Sequence, residues 1–293
     1  MTLSDYFSTV TLPQRAEPYP SLLDFLQLRF PGVPRGSWEK RIAGGKVLEG
    51  DGRPVTFATL YVPGKKIHYF REVAREPVIP FVEKIVFQND ELLVACKPHF
   101  LPVVPAGPYV NECLLHRLKK KTGNSDLVPL HRIDRETAGI VLFSANRESR
   151  GLYHDLFMHG QVEKTYQAVA DCHVQPRQTE WLVANRLKEG QPWFRMQTVP
   201  GPVNSCSRIR LLERKENRGR FLLQPETGKK HQLRVHMSGL GFGIINDRYY
   251  PELLPEVEDD FDRPLQLLAE TVRFRDPVTA KTMEFSSERR LLW

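Results

Sequence analysis

Apolar residues in the front part of the chain recur at helical spacing in two short stretches, and further on they gather into strand-like runs. From Ser21 to Phe30 the residues Leu22, Leu23, Leu26 and Phe30 fall on one helical face, Ser21 is a suitable N-cap, and Pro31-Gly32 stops the helix. A second short helix is expected after Ser37, with Trp38 and Ile42 facing inward and Gly44-Gly45 ending it. Lys46 to Leu48 and Val55 to Leu60 predict strands around Gly50-Asp51-Gly52. Met1 to Glu17 shows no clean period and carries Pro13, so residues 1–17 are expected to form a flexible arm.

The stretch Val73 to Pro80 has two prolines and no periodicity and predicts a linker. Beyond it, Ile85 to Phe87 and Leu92 to Ala95 flank Asn89-Asp90 as a hairpin, and Ile140 to Ala145 and Thr165 to Ala170 are further strands. Between the last two lies a helix with Leu152, Leu156 and Phe157 on its apolar side and Gly160 as its C-cap. Sheet and helix alternate irregularly, which predicts an α+β fold. The expected division is an arm at 1–17, a small α/β module at 18–75 and a main domain at 76–293.

The chain has 293 residues, 41% hydrophobic and 26% charged, which is the composition of a soluble globular protein large enough for two cores. Its net charge of +7 favours a polyanionic partner such as nucleic acid. Eight basic residues between Arg35 and Arg71 (Arg35, Lys40, Arg41, Lys46, Arg53, Lys65, Lys66 and Arg71) face only Glu39, Glu49 and Asp51, so the small module carries a basic face. The four cysteines lie far apart with no C-x-x-C pair, which fits reduced thiols in the cytoplasm. No basic-then-apolar leader and no bilayer-length apolar run is present, so no membrane association is expected. Pro251 to Asp262 is strongly acidic, with Glu252, Glu256, Glu258, Asp259, Asp260 and Asp262, and reads as a solvated insertion.

Three segments carry candidate chemistry. His131-Arg132-Ile133-Asp134-Arg135-Glu136-Thr137-Ala138-Gly139 sets one carboxylate between two guanidinium groups ahead of an apolar strand, an arrangement suited to a nucleophile or base, or to a structural ion pair. In Glu163 to Val169, strand alternation puts Lys164 and Tyr166 on one face, able to stack on a base beside a charge. In Pro225 to Met237, the residues Leu233, Met237 and Leu240 form a helical stripe ended by Gly239 or Gly241, which predicts Lys230 and Arg234 one turn apart at an anion-binding helix start. His231 and His236 have no cysteine pair nearby and fit no common zinc spacing, so no metal is expected.

In this order the three segments resemble the signature of RluA-type pseudouridine synthases: H-R-L-D-x-x-T-S-G-L, then K-x-Y, then T-G-R-x-H-Q-I-R-x-H. Lys97-Pro98 with Leu101 to Pro105 resembles the family's K-P-x-G-L-x-V-x-P, and Leu267-Leu268-Ala269 its late L-H-A. The helix-helix-strand module resembles the alpha-L RNA-binding domain of a ribosomal protein and of many such synthases, with Glu49-Gly50-Asp51-Gly52 in place of the usual Val-Asn-Gly turn. The resemblance implies a largely antiparallel mixed sheet with a catalytic cleft, and cofactor-free isomerisation of specific uridines to pseudouridine by base flipping. It places Asp134, Tyr166 and Arg234 as catalytic residues. Arg132, Lys164, Lys229, Lys230, His231 and Gln232 become candidates for binding RNA, with Arg132 entering the stack as the base leaves. Ribosomal RNA is the first expected substrate and transfer RNA the second, acted on by a cytoplasmic monomer. Ala138, Lys229 and Leu268 depart from the usual Ser, Arg and His; a Lys lacks the bidentate reach of an Arg. Two rival functions fit the basic charge: a metal-independent ribonuclease built on His131 and Asp134, and a non-catalytic RNA-binding or ribosome-assembly protein.

Overall fold

A computed structural model describes residues 1–14, 17 and 19–293, so the expected arm-to-module boundary at residues 17 and 18 lies partly outside the described residues. The chain forms two compact units, residues 1–77 with 105–112, and residues 78–104 with 113–293.

The first unit contains β1 (Thr2–Leu3), β2 (Ser8–Thr11), α1 (Leu22–Arg29), α2 (Arg35–Ala43), β3 (Val47–Glu49), β4 (Lys66–Tyr69) and β5 (Glu72–Val73). Ser21 caps α1, its Oγ accepting the Asp24 amide at 3.1 Å. Helix α2 starts two residues before the expected Ser37, directly after Pro34, whose carbonyl accepts the Ser37 amide at 2.9 Å. Leu22, Phe25, Leu26, Trp38, Ile42, Val47 and Ile67 form the core. Two expectations are corrected. The arm holds strands: β2 pairs antiparallel with β4, which also pairs with β3, and β1 pairs with β5. A four-residue strand shows no readable period, and its partner lies far downstream. Val55 to Leu60 is not a strand; Pro54 makes one bridge to Leu48, and Val55 and Tyr61 reach the core from irregular backbone. The basic face is also less open than its composition suggests, because Arg35, Arg41, Lys46, Arg53 and Lys65 all sit in ion pairs.

The second unit contains β6 (Lys84–Gln88), β7 (Leu92–Lys97), α3 (Leu114–Thr122), β8 (Val128–Pro129), β9 (Ala138–Ser144), α4 (Arg150–Met158), β10 (Glu163–Asp171), β11 (Glu180–Glu189), β12 (Met196–Val199), β13 (Ser205–Lys215), β14 (Arg218–Pro225), α5 (Gln232–Gly239), β15 (Leu267–Arg275) and β16 (Thr282–Ser286). They build one mixed sheet in the order β12-β11-β13-β14-β10-β15-β9-β7-β6, with β16 on β15 and β8 on β9. All its ladders are antiparallel except β15 with β9. Strands β7 and β9 read as unbroken apolar runs because both of their faces are covered, whereas β13 alternates between core and solvent. On α4 the inward residue is Tyr153 rather than Leu152, since the Tyr153 hydroxyl donates to Asp276 Oδ2 at 2.9 Å and Leu152 is left exposed. Among the described residues, no helix is long and apolar enough to cross a membrane.

Candidate active site

Residues 131–137 form the loop that feeds β9, and three devices fix its path. The Lys97 ammonium, fully buried, donates to the carbonyls of Pro98 (2.8 Å), Leu101 (2.7 Å) and Arg135 (2.9 Å), which matches its three donors to three acceptors. Burial pulls its pKa down to about 7, against the opposing pull of Glu136 and Asp134. His131 Nε2 accepts the Leu142 amide at 3.1 Å while its ring stacks on Phe157, with centroids 5.0 Å apart. The Thr137 amide donates to the Asp134 carbonyl at 3.2 Å, closing a tight turn.

Gly139 then lets the strands meet. It has φ +117°, and a Cβ there would lie 2.0 Å from the Ala269 carbonyl oxygen. Ala269 is paired with Gly139 on one side and with Tyr166 on the other. Through β15, β10 therefore holds Tyr166 on the same part of the sheet as the strand that follows Asp134, close enough for the Asp134 charge to act on the phenol. Tyr166 is half-buried, and burial followed by the nearby Asp134 charge raises its phenol pKa.

Arg234 anchors the charged centre. It is only 2% exposed, and it binds Asp247 through two parallel bonds, Nε to Oδ2 at 2.8 Å and Nη2 to Oδ1 at 2.6 Å. Its remaining nitrogen, Nη1, lies 3.3 Å from Asp134 Oδ2 and 3.7 Å from Glu136 Oε2. Burial opposes the Arg234 charge, but Asp247, then Asp134 and Glu136, more than offset it and raise the pKa above that of an ordinary arginine. The rings of Tyr249 and Tyr250 flank the guanidinium, at 4.8 and 5.5 Å to their centroids. Asp247 Oδ1 also accepts the amides of Tyr249 and Tyr250, so one carboxylate orders both the arginine and the segment that covers it.

His231 sits on the other side of Asp134. Its Nδ1 is 3.0 Å from the Tyr250 hydroxyl, which itself accepts the Met196 amide at 2.6 Å, and its Nε2 is 4.0 Å from Asp134 Oδ1. Burial, with Arg234 and Lys230 adding to it, lowers its pKa to about 3, so the ring is neutral.

The structure thus brings together Asp134, Arg234, His231 and Tyr166, and it redistributes the other candidates. Arg132 and Arg135 do not clasp Asp134 as their sequence order suggests: Arg132 is exposed, and Arg135 pairs with Asp259 and Glu136. The cation beside Asp134 comes from Arg234 instead. Lys230 does not share a helix face with Arg234, because His231 is left-handed (φ +53°) and α5 starts only at Gln232; Lys230 is exposed and lies 5.3 Å from the Trp193 ring centroid. Lys229 is exposed as well. Gln232, expected to touch RNA, is buried, with its side chain engaged inside the protein. Its amide donates to the Cys206 carbonyl and Ser207 Oγ, and its oxygen accepts from Thr227 Oγ1 and the Lys229 amide, which exhausts its capacity. Lys164 lies two residues before Tyr166 on β10, and burial lowers its pKa. The hydrogen bond that His131 accepts, and its pKa of about 3 from burial and then Lys164, make it unfit as the base of a ribonuclease. Among the described residues, no group of three or more His, Cys, Asp or Glu side chains is placed to hold a metal.

Asp247, Tyr249, Tyr250 and Glu136 were not singled out from the sequence. The Asp-Arg-Tyr-Tyr run at 247–250 was the available signal: two aromatic rings beside an acid, ahead of the acidic segment.

The RNA pseudouridylate synthase family model matches residues 91–239, just over half of the chain. The dual-specificity RNA pseudouridine synthase RluA of Haemophilus influenzae is 30% identical over 222 residues, covering 72% of this chain and 95% of that protein. An uncharacterized RNA pseudouridine synthase of Synechocystis, slr1592, is 27% identical over 230 residues, covering 78% of this chain and 79% of its own. Among solved structures, human RNA pseudouridylate synthase domain containing 1 shares the fold with a TM-score of 0.58 at 22% identity, covering 73% of this chain and 86% of that one. Human RNA pseudouridylate synthase domain containing 4 does so with a TM-score of 0.55 at 24% identity, covering 71% and 88%. The chain belongs to the RNA pseudouridylate synthase family and is an isomerase that acts on RNA.

Proposed function

We propose that Asp134 is the catalytic carboxylate of this synthase, with Tyr166 and Arg234 as its partners. The observation that supports this most is the placement of Asp134 Oδ2 at 3.3 Å from the buried Arg234 Nη1, in a carboxylate that is still 23% exposed. An enzyme of this kind has to take a uridine out of its stack, hold the base, break its glycosidic bond and rejoin it through carbon. Tyr166 offers a ring for the extracted base, and Arg132, exposed at the loop, fills the place the base leaves. Arg234 orients the carboxylate through Oδ2, and the neutral His231 ring lies 4.0 Å from Oδ1. Asp134 then assists cleavage by attack on the sugar or by taking a proton from it, and the uracil turns before the new bond forms.

The front unit is read as an alpha-L-like RNA-binding module, through exposed cations such as Lys40 and Lys66. The substrate is read as ribosomal RNA first and transfer RNA second, modified in the cytoplasm by a monomer. Pseudouridine mapping across total RNA from cells with the gene, without it, and complemented with Asp134→Asn tests the reading. One or more sites should vanish without the gene, return with the wild type and stay absent with the variant. Sites that return with Asp134→Asn would contradict it.

A further inference from the structure

The acidic segment 251–262 has no part in the chemistry described so far, yet one of its carboxylates reaches the active-site loop. Asp259 receives two parallel bonds from Arg135, Nη1 to Oδ2 at 2.7 Å and Nη2 to Oδ1 at 2.9 Å. Phe261, two residues on, packs edge-on against Phe81 and Phe100, and Arg135 lies 5.9 Å from the Phe100 ring centroid. The contact is continuous with the catalytic charges: Glu136 takes Arg135 Nε at 3.1 Å and faces Arg234 Nη1 at 3.7 Å, which in turn faces Asp134.

The clasp is not needed to hold the loop. Lys97 already grips the Arg135 carbonyl, His99 Nδ1 meets the Glu136 carbonyl at 2.6 Å, and Gly139 pins the following strand. What the clasp changes is the charge on offer. Arg135 shares Glu136 with Arg234, so its guanidinium stands one carboxylate away from the charges around Asp134, within reach of RNA bound there. A guanidinium fork accepts a phosphodiester with the same two-bond geometry as a carboxylate. Both partners remain partly open, with side chains 27% and 24% exposed, so solvent reaches the ion pair while it is closed. The other acidic residues of the segment, Glu252, Glu256, Glu258, Asp260 and Asp262, are exposed and repel a polyanion that approaches while the clasp is closed.

We propose that Arg135 is a phosphodiester-binding residue masked by Asp259 in the RNA-free protein, and that the RNA backbone displaces the acidic segment from it. The inference rests on the reading of this site as the one that takes RNA. The mask makes binding weaker than the contacts allow, so RNA that cannot supply the displacing phosphate is rejected.

The test measures binding of a fluorescein-labelled single-stranded RNA that carries the mapped target uridine to the full chain over a salt series, beside conversion of that uridine. Asp259→Asn should bind about twofold to fivefold more tightly than wild type, because a partly exposed ion pair no longer competes. Asp259→Ser, of different shape, should do the same. Arg135→Gln should bind more weakly and take about 0.7 off the slope of log affinity against log salt, the share of one single-strand phosphate. In the Arg135→Gln background, Asp259→Asn should gain less than it gains in the wild type. Unchanged or weaker binding by both Asp259 variants at wild-type thermal stability would overturn the proposal, as would the same gain in the Arg135→Gln background. A wild type that neither binds nor converts RNA would instead locate the failure in the reading of the site.

Discussion

Replacing Gly139 by alanine should damage the fold and the reaction together, because this glycine is where β9 meets β15. The added Cβ would stand 2.0 Å from the Ala269 carbonyl oxygen, and contacts below 3.0 Å essentially never occur, so the strands must part by at least 1 Å. Overpacking of this kind costs about 1–3 kcal/mol. The backbone at φ +117° adds about 1–2 kcal/mol for any residue with a side chain. The sum, roughly 2–5 kcal/mol, is a large part of a total stability of about 5–15 kcal/mol. Parting β9 from β15 also shifts Asp134, on the loop ahead of β9, relative to Tyr166, on the far side of β15. A displacement of about 1 Å is enough for a rate loss on the order of 100-fold. Urea unfolding should show a lower midpoint at unchanged slope, and single-turnover conversion at saturating RNA should show the slower rate. Gly151→Ala is the control: in α4, with nothing within 4 Å of the added Cβ, it should stabilise by about 0.5–1 kcal/mol and leave the rate alone. A Gly139→Ala protein with wild-type midpoint and rate would refute the reasoning.

Tyr166→Phe keeps the ring and loses the hydroxyl, so RNA affinity should stay near wild type while single-turnover conversion falls by about 100-fold or more, the range of general acid-base assistance. An unchanged rate would leave stacking as the whole role of Tyr166. Stability should decline in acid for a countable reason. Burial holds His131 and His231 near 3 and His99 and His236 near 4, all below the 6.5 of an exposed histidine. Their contribution is therefore complete above pH 6.5 and is lost as the pH falls toward 4, because only the unfolded chain takes up those protons. His131→Gln, which keeps an acceptor for the Leu142 amide, should reduce proton uptake on unfolding by about one between these limits. An identical pH dependence of the urea midpoint in the two proteins would show that His131 titrates normally.

Much of the second unit was legible in the sequence because its strands are long and their apolar runs uninterrupted. Leu92–Lys97, Ala138–Ser144 and Glu163–Asp171 each overlap the predicted stretches. The first unit was harder. Its strands have two to four residues, too few for a period to emerge, and Ser8–Thr11 acquires its identity only from Lys66–Tyr69. In the site, motif order pointed to Asp134, Tyr166 and Arg234, but not to how the neighbouring charges pair. Arg135 looked like a partner of Asp134 because it is adjacent in sequence, and long side chains choose partners in space. Gln232 is a polar residue in a basic motif, and only the fold shows that four hydrogen bonds take up its side chain. Asp247 was invisible for the same reason: a single acid in a loop carries no signal until folding sets it under the Arg234 guanidinium.

The central claim is that Asp134 performs the chemistry while Arg234 holds it in place. Its most direct test is single-turnover conversion of the mapped target uridine by purified Asp134→Asn at saturating RNA, with RNA affinity and thermal unfolding measured on the same protein. The substitution removes one charge at nearly constant volume from a partly exposed position. No pseudouridine should form, while binding and unfolding temperature remain close to those of the wild type. Turnover by Asp134→Asn near the wild-type rate would contradict the account.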